Sequence, residues 1–408
     1  MRTAHAQANA PGALVIGGDY KSLGVVRSLG RHGIPVWVLK DDHALASWSR
    51  YCARSLPWPA ASEREQVDYL LDLAHRYGLD GWAIFPNGDE TAALLARNRD
   101  ALAERYRHTI LAPWETLRWA YDKRLTYRLA ANVGVDRPLT RYPRDRDEVR
   151  SFDGRYPAIL KPATRPVLNR FTIAKAWPAN DVATLVARYE EAASLIDPAL
   201  IMIQEKIPGG GDAQLSYAAL CRGGKPVASL VARRTRQWPM DFGRASTYVE
   251  SVEAPDVEDH AQRLLAALRF DGIVEVEFKR DPRDGRLKLL DINPRVWGWH
   301  TLGRRVGIDF PYLLWRIVNG GDIAPLRGRP GVRWVRALTD IPTAVGQIRA
   351  GRLSPFGYLA SLRGPIEFAV LAADDPLPAL LELPATASLA WNRRALDLDA
   401  QPAHSPPR

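Results

Sequence analysis

Two consecutive segments in which polar and apolar residues alternate constrain the fold of this chain more than any other feature. Gly272–Lys279 reads GIVEVEFK, so the strand period of two places Glu275 and Glu277 on one face and apolar residues on the other. Leu287–Arg295 reads LKLLDINPR and follows a turn of sequence DPRDG. The pattern predicts two antiparallel strands joined as a hairpin.

The predicted hairpin presents oxygen-bearing side chains on one face. Asp291 and Asn293 alternate along the second strand, so we expect them to meet Glu277 at one site. Carboxylate and amide oxygens suit Mg²⁺, above all where triphosphate oxygens complete its coordination, and Mn²⁺ is an alternative ion. Solvated surface groups are the simpler alternative, but these residues interrupt strands that are otherwise strongly apolar. The sequence therefore predicts a metal site formed by Glu277, Asp291 and Asn293.

The composition is that of a globular protein with more than one domain. At 408 residues, 46% hydrophobic and 25% charged, the chain is long enough for two or three buried cores. Its two cysteines form no CxxC motif, and no run approaches the roughly 18 apolar residues of a membrane span, so we expect a cytoplasmic protein without a transmembrane segment. The net charge of +10 comes from scattered arginines without a basic block, so we expect no nucleic-acid partner.

The N-terminal part of the chain alternates strands and helices. Ala13–Ile16 is a short apolar run, a helical pattern follows the turn GGDYKSLG, and a second apolar strand comes next. The spacing in that turn is not GxGxxG, which favours a structural or substrate-lining turn over a dinucleotide site. A later strand, Trp82–Pro86, leads to Asp89 and Glu90, which either begin the next helix or face a ligand at the carboxyl end of the sheet.

Two further strands end in residues suited to a nucleotide. The strand YPAILKP delivers Lys161 at its end, where an unpaired buried ammonium would be costly, so phosphate is the expected partner. Another strand becomes polar at QEKI before PGGGD, which suits a hinge that reads an adenine edge, with Asp212 accepting hydrogen bonds from ribose hydroxyls. A simple interdomain turn is the alternative. The predicted hinge residues are Gln204, Glu205, Lys206 and Ile207.

Over residues 13–320 the sequence resembles the ATP-grasp superfamily, because these parts occur in the order typical of that family. In this resemblance Lys123 of the Asp-Lys pair and Lys161 correspond to two phosphate-binding lysines. QEKI corresponds to the adenine hinge, and Asp212 to the acid that binds ribose. The hairpin corresponds to the metal site, and the resemblance implies that Arg295 faces the transferring phosphoryl group.

The resemblance implies a mixed α/β and α+β architecture. A small parallel-sheet domain, the pre-ATP-grasp domain, is expected first, followed by a two-subdomain ATP-grasp fold and a C-terminal extension. The expected units are the N-terminal domain at 1–115, the ATP-grasp domain at 116–325 with its lid at about 135–203 and its metal-binding subdomain at about 204–325, the extension at 326–394, and a disordered tail at 395–408.

The resemblance is closest to carboxylate-amine ligases such as D-aspartate ligase, and to the biotin carboxylase and carbamoyl phosphate synthase group. It implies that ATP and Mg²⁺ convert a small-molecule carboxylate into an acyl phosphate, from which an amine displaces phosphate to form an amide. Two other activities stay open. One is an ATP-grasp enzyme that activates bicarbonate, and the other is a non-catalytic, ATP-binding regulatory protein.

Two features depart from the pattern of the family. The segment after Lys161 has no glycine before residue 176, so Arg165, Arg170 or Lys175 is expected to cover the phosphates with side chains instead of a backbone cradle. The second metal acid is Asp291, where glutamate is more usual. Its shorter side chain reaches less far, but it still offers oxygen ligands.

An arginine-rich segment is the predicted substrate-binding region. Residues 233–247 carry four arginines and three hydroxyl side chains between two apparent strands. Arginine binds carboxylates through paired hydrogen bonds, so Arg236 and Arg244 are expected to hold the acceptor carboxylate or the acyl phosphate, unless the segment is a solvated basic loop. After the hairpin, the aromatic residues of Trp297–His300 either line the same pocket or belong to the core.

The expected C-terminal extension contains no recognisable catalytic motif. Its apolar helical runs, such as FGYLASLRGPIEFAVLAA, could pack on the rest of the chain, form a homodimer, or contact a partner or a membrane surface. The sequence does not choose among these arrangements, nor does it identify the carboxylate and the amine.

Overall fold

Three sheets organise the chain. The computed structural model describes residues 11–164, 169–174, 176–238 and 245–399, with side chains through residue 388. A parallel sheet at the N-terminal end precedes two largely antiparallel sheets, which confirms the predicted fold class. Among the described helices, none combines the length and the hydropathy needed to cross a bilayer.

The N-terminal unit comprises β1 (Ala13–Ile16), α1 (Tyr20–Arg31), β2 (Val36–Lys40), β3 (Cys52–Pro57), α2 (Glu63–Tyr77), β4 (Trp82–Pro86), α3 (Asp89–Arg97), α4 (Arg99–Ala103) and β5 (Tyr106–His108). Its five parallel strands lie in the order β3-β2-β1-β4-β5, and every residue of the central β1 is buried. Asp19 begins α1 by accepting hydrogen bonds from the backbone amides of Lys21 and Ser22. The carboxyl ends of β1 and β4 therefore lie side by side, each followed by a helix.

The second unit comprises α5 (Trp114–Tyr121), α6 (Lys123–Asn132), β6 (Thr140–Arg141), α7 (Arg146–Arg150), β7 (Ala158–Pro162), α8 (Arg170–Ala174), β8 (Trp177–Ala179), α9 (Val182–Ala193) and β9 (Ile201–Glu205). Its four strands pair antiparallel in the order β6-β9-β7-β8. Leu160, Phe171, Leu185 and Ile203 are fully buried in a core of its own, distinct from those that include the large sheet. The lysine of β7 and the polar end of β9 lie on neighbouring strands, because Ile159 pairs with Gln204.

The third unit comprises β10 (Gln214–Arg222), β11 (Lys225–Trp238), β12 (Ala245–Val252), α10 (Pro255–Ala267), β13 (Gly272–Arg280), β14 (Leu287–Asn293), α11 (Leu302–Arg305), α12 (Phe310–Val318), β15 (Leu326–Arg327), β16 (Arg333–Val335), α13 (Ala337–Arg349), α14 (Pro355–Ser361), β17 (Ile366–Phe368) and α15 (Leu377–Asp399). Its sheet runs in the order β14-β13-β10-β11-β12-β16-β17, and β15 pairs with β11. A large antiparallel sheet thus carries the hairpin at one edge.

The large sheet does not end at residue 325. Strands β15, β16 and β17 pair with β11, β12 and β16, so the segment expected as a C-terminal extension contributes three short strands to this sheet. These strands were not predicted because strands as short as β16 show no pattern in the sequence. Trp334 of β16 is nevertheless completely buried. Helix α15 continues to Asp399, within the segment expected to be disordered, and residues 400–408 lie outside the described part.

The predicted hairpin is formed by β13 and β14. Glu275 pairs with Asn293 and Glu277 pairs with Asp291, and the register shifts just after Glu277. The turn is closed by the backbone amide of Gly285, which donates to the Asp281 carbonyl over 2.8 Å. Gly285 has φ +72°, a left-handed conformation that glycine adopts without a steric penalty. The register therefore places all four polar side chains beside one another.

Candidate active site

A cleft of about 440 Å³ lies where the three sheets meet. The N-terminal unit lines it with the turn Asp19–Lys21 and with Asp89 and Glu90, at the carboxyl ends of β1 and β4. The second unit contributes Lys161 and Gln204–Ile207, and the large sheet contributes the hairpin. The cleft thus joins residues that are far apart in sequence, as is usual for ligand sites at the carboxyl ends of parallel strands.

Asn293 is the centre of the hairpin's polar network. Its side-chain amide donates to the Glu277 carboxylate over 2.9 Å and to the Glu275 carboxylate over 3.2 Å. The other oxygen of Glu277 accepts hydrogen bonds from Gln214 and Arg234. These contacts fix the carboxylates in place, with two acids and an amide oxygen within one small volume.

Lys123 and Asp291 form a direct ion pair in the cleft. The Lys123 ammonium lies 2.6 Å from each oxygen of the Asp291 carboxylate. Asp122 begins α6, and Tyr127 of the same helix donates to the backbone carbonyl of Leu290 over 3.0 Å. The helix is therefore anchored to the hairpin strand, and this anchor brings Lys123 to the acid that the sequence pattern assigned to a metal.

Arg295 connects the hairpin to the N-terminal unit. Its guanidinium donates to both carboxylate oxygens of Asp89, at 2.9 and 3.2 Å, and to the amide oxygen of Asn293 at 3.2 Å. Burial would lower the pKa of Arg295, but the Asp89 carboxylate outweighs this and holds the pKa above its usual value. Arg295 therefore stays charged, and Asp89 faces the cleft as well as beginning α3.

Glu275 belongs to this network, although the sequence prediction left it out. It is 3% exposed and accepts a hydrogen bond of 2.9 Å from the indole nitrogen of Trp299. Burial, together with the neighbouring Glu277 charge, raises the pKa of Glu275 to about 7. The signal that could have found it was in the sequence, because the strand period places it on the same face as Glu277.

The strand β11 contains an irregularity that decides which arginine reaches the cleft. Its pairing with β12 shifts between Arg233 and Arg236 and again after Arg236. As a result Arg234 and Gln237, three residues apart, both line the cleft. A regular strand would instead place Arg234 and Arg236 on the same face.

The structure corrects the expectation that Arg236 binds substrate. Arg236 is not among the residues lining the cleft, and its guanidinium forms two 2.8 Å hydrogen bonds to Asp340 of α13. It also lies 4.0 Å from the ring centroid of Tyr248. Arg236 is 3% exposed and Asp340 is fully buried, so this pair joins α13 to the large sheet.

The predicted nucleotide residues are divided between the cleft and other places. Lys161 and the four hinge residues line the cleft, but the Glu205 carboxylate is held by Arg283, by Lys288 and by the backbone amide of Leu139. Asp212 is exposed and does not line the cleft. Arg170 forms an ion pair with Glu191 on the surface. The other predicted residues, Arg165, Lys175 and Arg244, lie outside the described residues.

Of the aromatic residues after the hairpin, one lines the cleft and the others are buried elsewhere. Trp299 lines the cleft and contacts Glu275, whereas Trp297 packs against Phe310 in the core. His300 is also buried, and burial lowers its pKa to about 4. Of this group, only Trp299 has a polar contact with the hairpin acids among the described residues.

Comparison with known proteins identifies the fold. Residues 212–339 match the family described as ATP-grasp in the biosynthetic pathway with Ter operon. No curated protein matches the sequence. The L-amino acid ligase from Bacillus licheniformis is similar in structure, with a TM-score of 0.59 and 16% identity over 78% of each chain.

Two further solved structures are similar to the chain. One is the biotin carboxylase domain of the Hydrogenobacter thermophilus 2-oxoglutarate carboxylase in complex with MgADP, ADP and bicarbonate, with a TM-score of 0.61 and 14% identity over 80% of this chain and 74% of that one. The other is N5-carboxyaminoimidazole ribonucleotide synthetase in its ADP complex, with a TM-score of 0.56 and 13% identity over 79% and 80%. At these identities the likeness concerns the fold alone, and residues 212–339 are the part of the chain that matches an ATP-grasp family.

Proposed function

We propose that the chain is an ATP- and Mg²⁺-dependent ligase that activates a carboxylate as an acyl phosphate and joins it to an amine. The observation that carries this proposal is the convergence of Glu277, Asp291, Asn293, Arg295 and Lys123 in one cleft that also contains the end of β9. Acids, an amide and cations at such close range are typical of phosphoryl-transfer sites. The ATP-grasp fold supports the same class of reaction.

The residues of the hairpin fit a hard divalent cation. Glu277, Asp291 and Asn293 all offer oxygen ligands, and two of the three are already held by cations, Arg234 and Lys123. We propose that these three side chains hold Mg²⁺ when the nucleotide is present. Bound there, the ion would neutralise charge on the triphosphate oxygens.

The other polar residues of the cleft would orient and stabilise the reacting groups. Lys123 and Lys161 supply positive charge for the phosphates, while the backbone of residues 205–207 is proposed to read the adenine edge, since the Glu205 carboxylate is engaged elsewhere. Arg295 is fixed by Asp89 and would stabilise the phosphoryl group without rearrangement. Such preorganised charge is usually the largest catalytic contribution.

The reaction follows from ordinary carboxylate chemistry. A carboxylate oxygen attacks the γ-phosphorus of ATP, the bond to ADP breaks, and the acyl phosphate forms. The amine nitrogen then attacks the acyl carbon, phosphate leaves, and the ammonium proton passes to solvent. A carboxylate is a poor electrophile, and phosphorylation gives it a good leaving group.

The turn at Asp19–Lys21 and the arginine on β11 are proposed to contact the substrates. Both line the cleft beside the hairpin, and Lys21 is held by a 2.8 Å hydrogen bond to the carbonyl of Asn87. We assign the substrate carboxylate to Arg234 in place of Arg236, because Arg234 is the guanidinium of that strand that reaches the cleft.

Phosphate release from ATP tests the proposal. The full chain is incubated with ATP, Mg²⁺ and pooled carboxylates and amines, with each pool also supplied alone and with bicarbonate alone. Release that needs both pools supports the ligase, whereas release with bicarbonate alone supports the bicarbonate-activating alternative. Tight ATP binding without turnover in any arm would overturn the proposal in favour of a regulatory protein.

The variant Asn293→Ala tests whether Asn293 belongs to the proposed metal site. It removes an amide that bridges Glu275 and Glu277, so we expect turnover to fall while the chain stays folded. Asp284→Asn in the exposed turn of the same hairpin is the control. Normal turnover in Asn293→Ala would remove this residue from the metal site.

A further inference from the structure

Exposed large apolar side chains are concentrated toward the C-terminal end of the described chain. Eight of the fourteen found among the described residues lie between positions 341 and 383. Phe356 on α14 is 84% exposed, Leu359 is 59% exposed, and Ile341 on α13 is 54% exposed. Large apolar side chains left exposed in such numbers are typical of interaction sites.

Helices α13 and α14 are both held by the same arginine. Asp340 of α13 and the hydroxyl of Ser361, the last residue of α14, both accept hydrogen bonds from the Arg236 guanidinium. These inward contacts leave the opposite sides of both helices exposed. We call this exposed surface the α13–α14 face, and its apolar members are Ile341, Val345, Phe356 and Leu359.

Each helix carries an apolar stripe that ends in an arginine. The stripe on α13 consists of Ile341, Val345 and Arg349, and the stripe that begins on α14 consists of Phe356, Leu359 and Arg363. These spacings of three and four residues place side chains on one side of a helix. At the end of an apolar stripe, the aliphatic part of an arginine can lie against apolar groups while its guanidinium stays in contact with water or polar groups.

The same surface is positively charged. Residues 341–366 contain three arginines, Arg349, Arg352 and Arg363, and no acid or lysine. All three are exposed, and none forms an ion pair with an acid in the part of the chain that the structure describes. The acids on either side are engaged, since Asp340 binds Arg236 and Glu367 binds Arg304.

We propose that the α13–α14 face docks the protein peripherally on an anionic phospholipid surface. Phe356 and Leu359 enter the headgroup layer, while the arginines of the face bind lipid phosphates. A second copy of the chain fits less well. In a twofold contact the face would meet itself, bringing its arginines against their own copies while residues 341–366 supply no acid to pair with them.

Vesicle sedimentation with the full chain tests this proposal. Vesicles of phosphatidylcholine containing phosphatidylserine are compared with phosphatidylcholine alone, at low and at high salt. We expect binding only to the anionic vesicles, weakened by salt, and a loss on the order of 100-fold when Arg349, Arg352 and Arg363 are all changed to Gln. Changing Phe356 and Leu359 to Ser should also weaken binding, although the net charge is unchanged.

A matched triple variant distinguishes the face from the overall charge of +10. Arg64, Arg144 and Arg155 are exposed elsewhere, and changing all three to Gln removes the same charge. Binding that survives in this variant and is lost in the other supports the proposal. Equal loss in both overturns it, as does absence of binding to anionic vesicles. Self-association that depends on Phe356, without vesicle binding, overturns it in favour of a dimer contact.

Discussion

The hairpin β13–β14 and the strand pair β11–β12 lie in the same sheet, yet alternation predicts the facing of side chains in only one of them. Through Glu275 and Glu277 the hairpin pairs residue by residue, so the period of two holds and the predicted acids meet. In β11 the pairing shifts twice around Arg236. A bulge adds one residue to a strand, so every side chain beyond it changes face.

The two arginines of β11 show the functional consequence of that shift. Arg234 binds Glu277 in the cleft, whereas Arg236 binds Asp340 outside the cleft lining. One guanidinium therefore lines the cleft, and the other joins α13 to the sheet. Substitutions of the residues on each side test this division, first at the structural pair and then in the cleft.

Removing Arg236 should have the largest effect, and it should be on stability. Arg236→Ala leaves the fully buried Asp340 carboxylate without its bidentate partner, so we expect the free energy of unfolding to fall by about 3–5 kcal/mol. Urea unfolding followed by fluorescence measures it. Turnover per folded molecule should change little.

Two companion variants sharpen this result. Changing Asp340 to Ala together with Arg236→Ala removes the uncompensated charge, so it should recover part of the lost stability. Arg234→Gln should instead lower turnover. If Arg236→Ala kept its stability and lost turnover, the assignment of this arginine to the scaffold would be wrong.

Removing the charge of Asp291 should have the next largest effect, on catalysis. Asp291→Asn keeps the shape of the side chain but loses a carboxylate that we assign to the metal, so ATP-dependent phosphate release should fall by about 100- to 1000-fold. Steady-state phosphate release measures it. Asp284→Asn in the turn of the hairpin is the matched control, and equal losses in both variants would contradict a specific role for Asp291.

The smallest effect concerns His300, just beyond the hairpin. Burial lowers its pKa to about 4 from 6.5, so below pH 6.5 the unfolded chain binds a proton that the folded chain does not. The free energy of unfolding should therefore decrease by about 1–2 kcal/mol as the pH falls to about 5. Urea unfolding at several pH values measures this slope.

A variant without the titrating ring completes the pH experiment. His300→Gln should show a flatter pH dependence in this window, although His108, whose pKa burial also lowers to about 4, keeps its own contribution. If the free energy of unfolding of His300→Gln kept the same pH dependence, burial would not lower the pKa of His300 in the folded chain.

Much of the fold could be predicted because its signals are local. The strands Ala13–Ile16 and Trp82–Pro86 have the predicted bounds, and the hairpin follows from alternation and a turn sequence. The short strands after 325 could not be predicted, since two or three residues such as Leu326–Arg327 carry no period. Their placement depends on pairing with distant strands.

The residues of the candidate site also fall into two groups, those that follow from a local pattern and those that depend on how distant parts pack. Alternation predicted that Glu277 and Asp291 meet, because the hairpin pairs regularly from Glu275 to Glu277 and its register shifts only beyond them. The ion pair of Arg295 with Asp89 could not be predicted, because 206 positions separate the two residues and the contact depends on how the units pack. Glu275 was visible in the alternation, and only its burial reveals how closely it belongs to the site.

Oxygen-isotope transfer tests the central claim of an acyl phosphate most directly. Pooled amino acids labelled with ¹⁸O in their carboxylates are supplied with unlabelled ATP, Mg²⁺ and the full chain, and the released phosphate is examined by mass spectrometry. When the amine displaces phosphate, one carboxylate oxygen leaves with the phosphorus, so we predict phosphate that contains ¹⁸O. Amide formation accompanied by unlabelled phosphate would contradict activation of the carboxylate by phosphorylation.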